Sequence, residues 1–314
     1  MGIVIITLLL SAWDAITGQI RTLVKLQALQ EQCRWLLKHA YDVTSQCGED
    51  GISSQALDVL PSRNGWCIEF GAWDGRKFSN THNLVISRGY RGAFIEANRE
   101  RFHDLQKTYD EKQHVLLNAY VGFGRNDSLD ALLEGTSVPF DVDLLSIDID
   151  GNDYYVWEAV HKYQPKLVII EYNPTASNSV TFVQEKDSRV NQGASAASLV
   201  ELGRNKGYEL IAATYLNLFF VKAEYFGLFH IPDNCLDLMR DDRHCPSIFV
   251  GYDGHVLLRE GDRNGEITFP WHPTKLTEQH VQAIPKRLQK YPYPDSYSLL
   301  ERIQWRLLLG RRKP

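Results

Sequence analysis

Between Trp66 and Glu224 short apolar runs alternate with stretches of helical spacing, and few folds available to a chain of 314 residues accommodate that alternation. "WCIEFG", "RGAFIEAN", "HVLLNAYVG", "DLLSIDIDG", "KLVIIEYN", "YELIAATY" and "NLFFVKAE" read as strands. "NTHNLVISRG", closed by Gly89, "RERFHDLQKTYDEK", "DYYVWEAVHKY" and "AASLVELGRNKG" read as helices. Strands separated by helices build βαβ units, so a doubly wound α/β fold with a mostly parallel sheet, covered on both faces, is predicted. Ligands of such sheets bind beyond the carboxyl ends of the strands, where the winding reverses. Chemically useful residues should therefore follow strands.

Composition narrows the partners. With 44% hydrophobic and 23% charged residues the chain has globular character, and 34 basic against 39 acidic residues give a net charge of −5. No overall electrostatic pull toward nucleic acid follows. The cysteines, Cys33, Cys47, Cys67, Cys235 and Cys245, are scattered, odd in number and without a C-x-x-C pair. That pattern fits a reducing, cytoplasmic compartment and counts against a structural zinc site. Ile3 to Trp13 is apolar but too short to span a bilayer and lacks the basic start of a secretory signal, so it reads as a buried or interfacial helix. Leu23, Leu26, Leu29, Cys33, Leu36 and Leu37 follow at helical spacing, as in a helix packed on the domain. At the far end "LLERIQWRLLLGRRKP" sets Arg302, Arg306, Arg311, Arg312 and Lys313 among leucines. A solvated basic helix terminus is the plain reading, and peripheral contact with an acidic membrane surface is the alternative.

Three places carry chemistry. In "WCIEFGAWDGRKFSNTHNL", Gly71 and Gly75 allow a tight turn and close approach to a ligand, and Ser79, Asn80 or Thr81 can cap a helix whose free N–H groups attract an anion. The spacing is not G-x-G-x-x-G, which counts against a dinucleotide pyrophosphate. Glu96, about 20 residues further on at a strand end, stands where an acidic side chain takes ribose hydroxyls. In "LLSIDIDGNDYYVWEA" strand alternation places Ser146, Asp148 and Asp150 on one side, with Glu171 at the end of the next strand. Like charges crowded there require a charged ligand, a metal or a bound proton. His82 lies within the first helix of this region and reads as a packing or hydrogen-bonding residue.

Six segments in order, "SQCGEDG" (45–51), "IEFGAWDGRKFSNT" (68–81), "GAFIEAN" (92–98), "LLSIDIDGNDYYVWEA" (144–159), "VIIEYNP" (168–174) and "NLFFVKAEYF" (217–226), resemble the FkbM-like S-adenosylmethionine-dependent methyltransferases. The resemblance implies a seven-stranded, Rossmann-like methyltransferase sheet over residues 45–230, with helical extensions at 1–44 and 231–314. It implies that Glu69, Gly71 and Gly75 form the cofactor loop, that Glu96 takes the ribose, that Gln46 and Glu49 close over the cofactor, and that Phe123 lies beside the adenine. It further implies methyl transfer to a small hydroxylated acceptor such as a sugar or glycan, with Asp148 or Asp150 as base and Glu171 orienting the acceptor. The family's D-x-E-G is here Asp148-Ile149-Asp150-Gly151, one methylene shorter at its second carboxylate. Magnesium on the three carboxylates is the less favoured alternative. An NAD-dependent dehydrogenase using Gly71, Gly75 and Glu96, and a non-catalytic scaffold that keeps the fold, are the rival functions. A nucleic-acid methyltransferase is disfavoured because "NPT" (Asn173 to Thr175) lacks the aromatic that clamps an extruded base. The segment "TASNSVTFVQEKDSRVNQGAS" beside the site reads as a mobile lid.

Overall fold

The computed structural model describes residues 22–259, 267–269, 272–291 and 295–309. The apolar run Ile3–Trp13 and the terminal Arg311, Arg312 and Lys313 lie outside them. Two compact units are present: one takes the described residues through Pro174 together with Asn178–Asp241, the other Thr175–Ser177 with the described residues from Asp242 onward.

The first unit holds a seven-stranded sheet. Its strands are β1 (Trp66–Phe70), β2 (Arg91–Ile95), β3 (Val115–Leu117), β4 (Leu144–Ile147), β5 (Leu167–Glu171), β6 (Tyr208–Ala213) and β7 (Asn217–Lys222). They lie in the order β3-β2-β1-β4-β5-β7-β6, with β7 antiparallel to both of its neighbours and the remaining pairs parallel. This is the mostly parallel, doubly wound sheet expected from the alternation. Every residue of β1 and β4 is buried, the mark of strands covered on both faces. The helices are α1 (Glu49–Val59), α2 (His82–Arg88), α3 (Arg99–Thr108), α4 (Leu129–Leu132), α5 (Asp153–Ala159) and α6 (Ala196–Asn205). Because β1 pairs with β2 on one side and β4 on the other, the winding reverses between β1 and β4. Gly71 and Asp148 follow those two strands, so the crevice opens between them.

Two strands are shorter than their apolar runs. β3 has three residues, and beyond it Asn118 turns its side-chain amide onto the carbonyl of Glu96 at 2.8 Å. β4 ends at Ile147, and Asp150 takes a left-handed backbone at φ 56°. The alternation that set Ser146, Asp148 and Asp150 on one face therefore stops before the last two. Ahead of the sheet, a helix over 22–33 buries Cys33, and the following turn buries Leu36. Leu23 and Leu26 of the same stripe are exposed.

The second unit contains antiparallel hairpins, Ser247–Val250 with Val256–Arg259 and Ile267–Phe269 with His272–Leu276, besides a terminal helix, Leu299–Leu309. The reading of a helical C-terminal extension did not include these strands. Their signal was present in "VGYDGHV": Asp-Gly between apolar runs favours a tight hairpin turn, and here Gly254 has φ 80°.

Candidate active site

The loop after β1 is closed by the protein's own carboxylates. Glu69, near the end of β1 and buried, accepts hydrogen bonds from the Ser79 hydroxyl (2.6 Å), the Thr81 hydroxyl (2.8 Å) and the Asn80 backbone N–H (2.8 Å). The Ser79 hydroxyl oxygen in turn accepts from the backbone N–H groups of Thr81 and His82. The N-terminus of α2 is thus satisfied from within, by the Glu69 carboxyl and the Ser79 hydroxyl. That arrangement gives Glu69 a structural task, and it removes three N–H groups from any pyrophosphate that a dehydrogenase would place there.

The two glycines are also explained by the chain itself. A Cβ on Gly71, at φ 72°, would lie 1.7 Å from the carbonyl oxygen of Asp148. At Gly75 it would meet the Tyr109 ring at 2.5 Å. Each glycine thus permits a close approach of another part of the protein. Gly71 nonetheless stands on the edge of the crevice, because its tight neighbour is the first residue after β4.

Glu96 stays at the carboxyl end of β2. One oxygen accepts from the Trp73 N–H (2.8 Å) and the other from the Asn98 N–H (2.6 Å). A carboxylate offers about four lone-pair directions, so each oxygen retains acceptor capacity for a hydroxyl. Glu49 is fully buried. Its oxygens accept from the Thr214 hydroxyl, the Asn217 amide and the backbone N–H groups of Gln46 and Cys47. It ties the "SQCGED" loop to the β6–β7 turn, while Gln46 itself is exposed. Asp50 holds the same loop by accepting from the N–H groups of Val43, Thr44 and Ser45. Phe123 packs its half-buried ring against Tyr155 at 5.7 Å, with the Lys186 ammonium 5.2 Å from its centre.

Asp148, Asp150 and Glu171 converge, with carboxylate oxygens within 4.8 Å of one another. The turn after β4 brings them together where strand alternation could not. Asp153, the first residue of α5, folds its carboxylate back onto the N–H groups of Ile149 and Gly151 at 2.9 Å each and so fixes that turn. Burial, then the neighbouring carboxylates, push Asp148 up to about 8 and raise Glu171 as well, and the two share a hydrogen bond. The pair therefore holds a proton at neutral pH.

The covering segment is held at Gln184. Gln184 is buried; its side-chain oxygen accepts from the N–H groups of Gln192 and Gly193, and its amide donates to Val190. Tyr155 donates to the Gln184 carbonyl at 2.7 Å. A Cβ on Gly151 would meet Asn191 at 3.1 Å, so this segment lies directly over the acidic turn. Neither Gln184 nor Asp153 stands out in sequence, because each acts through partners that only the fold supplies. His82 is buried and bonds through Nδ1 to the Tyr109 hydroxyl at 2.9 Å. Tyr109 donates its hydrogen to the Gly75 carbonyl at 2.8 Å, so Nδ1 carries the imidazole proton. Burial lowers the affinity of His82 for a second proton, in keeping with a packing role. A separate cleft of about 440 Å³, lined by Trp157, Tyr163, Lys206 and Tyr208, lies toward the amino ends of β5 and β6, away from these residues.

No family model and no curated protein matches the sequence. Solved structures similar to the chain include an S-adenosylmethionine-dependent methyltransferase from Aquifex aeolicus, with 9% identity and a TM-score of 0.33 over 54% of this chain and 87% of that one. M. capricolum TrmK in complex with S-adenosylhomocysteine is similar at 10% identity and a TM-score of 0.34, over 54% and 67%. The mitomycin 7-O-methyltransferase MmcR is similar at 11% identity and a TM-score of 0.32, over 54% of this chain and 52% of that one. The chain has a doubly wound, Rossmann-like α/β fold, as its own strand order displays.

Proposed function

We propose that this chain is an S-adenosylmethionine-dependent methyltransferase of the FkbM-like kind, acting on an oxygen of a sugar or other small hydroxylated acceptor. The observation that carries the proposal is the acidic group of Asp148, Asp150 and Glu171 at the switch point of the sheet, beside Gly71. The shifts of Asp148 and Glu171 come from burial and from other carboxylates, so the site favours a cationic ligand. The cofactor's sulfonium and ammonium groups fit that demand. Glu96 would take the ribose hydroxyls on its remaining lone pairs, and Phe123 would lie near the adenine. When bound, the cofactor supplies an already activated methyl group.

The protein's own part is to orient, to exclude water and to accept a proton. An acceptor hydroxyl held against Asp148 would pass its proton to that carboxylate as the oxygen is methylated. Glu171, hydrogen-bonded to Asp148, orients that base. A cytoplasmic setting belongs to the same proposal, on the scattered and odd-numbered cysteines.

Isothermal calorimetry with S-adenosylhomocysteine and with NAD, beside a methyl-transfer assay on hydroxylated acceptors, tests the reading. Glu96→Ala should weaken S-adenosylhomocysteine by roughly 1–3 kcal/mol. Asp148→Asn should lower turnover about 10²–10⁴-fold while changing that affinity far less. Turnover should also rise with pH as the Asp148–Glu171 pair loses its proton. Binding of NAD alone would replace the proposal with the dehydrogenase reading. Retained cofactor without transfer would leave a scaffold. Turnover abolished by a chelator and restored by magnesium would assign the three carboxylates to a cation.

A further inference from the structure

The terminal helix Leu299–Leu309 turns its apolar side away from its own unit. On the side that packs, Glu301 accepts from the Lys290 ammonium at 2.6 Å and from the Ser298 N–H at 2.9 Å. Arg302 donates to the Tyr297 carbonyl at 3.0 Å, and the Trp305 ring lies 6.2 Å from that of Tyr297. Leu300, Ile303 and Leu307, one stripe at i, i+3 and i+7, are 73%, 47% and 67% exposed. Leu299 and Leu308, at 75% and 50%, widen the stripe on either flank. A surface helix ordinarily buries its leucines and exposes its charges, so this one is built for an apolar contact outside the unit.

The surrounding charge says which contact. After Glu301 the sequence has no acidic residue and, besides Arg302 on the packed side, four basic ones, Arg306, Arg311, Arg312 and Lys313. A second copy docking on the same face by a two-fold axis would bring these cations against each other. A bilayer carrying anionic headgroups satisfies both the leucines and the cations. In the same unit the rings of Tyr252 and Tyr291 lie 5.8 Å apart and are 93% and 66% exposed, as amphipathic aromatics at a lipid–water boundary would be. Among the described residues no helix is long and apolar enough to cross a membrane, so the helix would lie in the plane of the surface. We propose that this face of the second unit seats on an anionic lipid surface, with the leucine stripe inserted among the acyl chains and Arg306 at the phosphates.

Flotation of the full-length protein tests this without reference to methyl transfer. Vesicles of phosphatidylcholine mixed with phosphatidylserine should carry the protein at low salt, and raised salt should release it. Ile303→Asp with Leu307→Asp should abolish binding at an unchanged melting temperature, since both side chains are exposed. Arg306→Gln, Arg311→Gln and Arg312→Gln should each weaken binding roughly five-fold. Equal flotation on phosphatidylcholine alone would overturn the proposal. So would binding undiminished by the two aspartates, or sedimentation showing that those aspartates split an oligomer of the chain.

Discussion

At the scale of single residues, the site depends on contacts that leave little room. Gly71→Ala adds a methyl group into the Asp148 carbonyl at a left-handed backbone position, and should lower stability by more than about 3 kcal/mol in chemical denaturation. A loss below about 1 kcal/mol would mean that the loop yields easily and that the crevice edge is not fixed there. The acidic pair gives a prediction whose sign is set by its raised titration. The folded protein keeps a proton on the Asp148–Glu171 pair that the unfolded chain releases from about pH 4 upward. Stability from these groups is complete below pH 4, declines as pH rises, and for Asp148 is lost past about 8. Glu171→Gln, neutral at every pH, should therefore raise the melting temperature at pH 8 and leave it nearly unchanged at pH 4. An equal effect at both values would show that the pair holds no shared proton.

At the scale of elements, buried ionic ties fix where strands enter and loops close. Lys166, just before β5, meets Asp143, just before β4, at 2.7 Å, and both side chains are buried. Asp143 also accepts from the N–H groups of Asn64 and Gly65 ahead of β1, so one carboxylate aligns three strand entrances. Asp143→Ala leaves the lysine charge buried without its partner and should cost about 3–5 kcal/mol, measured by urea unfolding. Glu49 does the corresponding work at the carboxyl ends, joining the loop before α1 to the β6–β7 turn. Glu49→Ala should increase amide exchange at Cys47 and, through the Thr214 hydroxyl that Glu49 holds, at Asn217, whereas a change confined to the first would break the proposed tie.

At the scale of the whole molecule, the two units divide the work. The first carries the sheet and the crevice, and the second carries the exposed leucine helix. S-adenosylhomocysteine at about 100 times its dissociation constant should stabilise the chain by about 2.7 kcal/mol if it binds only the folded state. That shift should survive Ile303→Asp with Leu307→Asp, because those residues belong to the surface contact and not to the crevice.

The sequence alone determined the sheet, because a strand buried on both faces must be apolar throughout and a covering helix must repeat at its own period. It also determined which residues follow the strands, and so named Glu96, Asp148 and Glu171. Tertiary structure decided what each of them touches. The task of Glu69 depends on Ser79, Asn80 and Thr81 folding back onto it, and that of Glu49 on Thr214 and Asn217 far along the chain. The meeting of Asp150 with Asp148 depends on a left-handed turn, where alternation along a strand gives no guidance. Periodicity is a local property of the backbone and can be read from composition along the chain. Hydrogen-bond partners and shared protons arise from groups distant in sequence, and the chain must close before they exist.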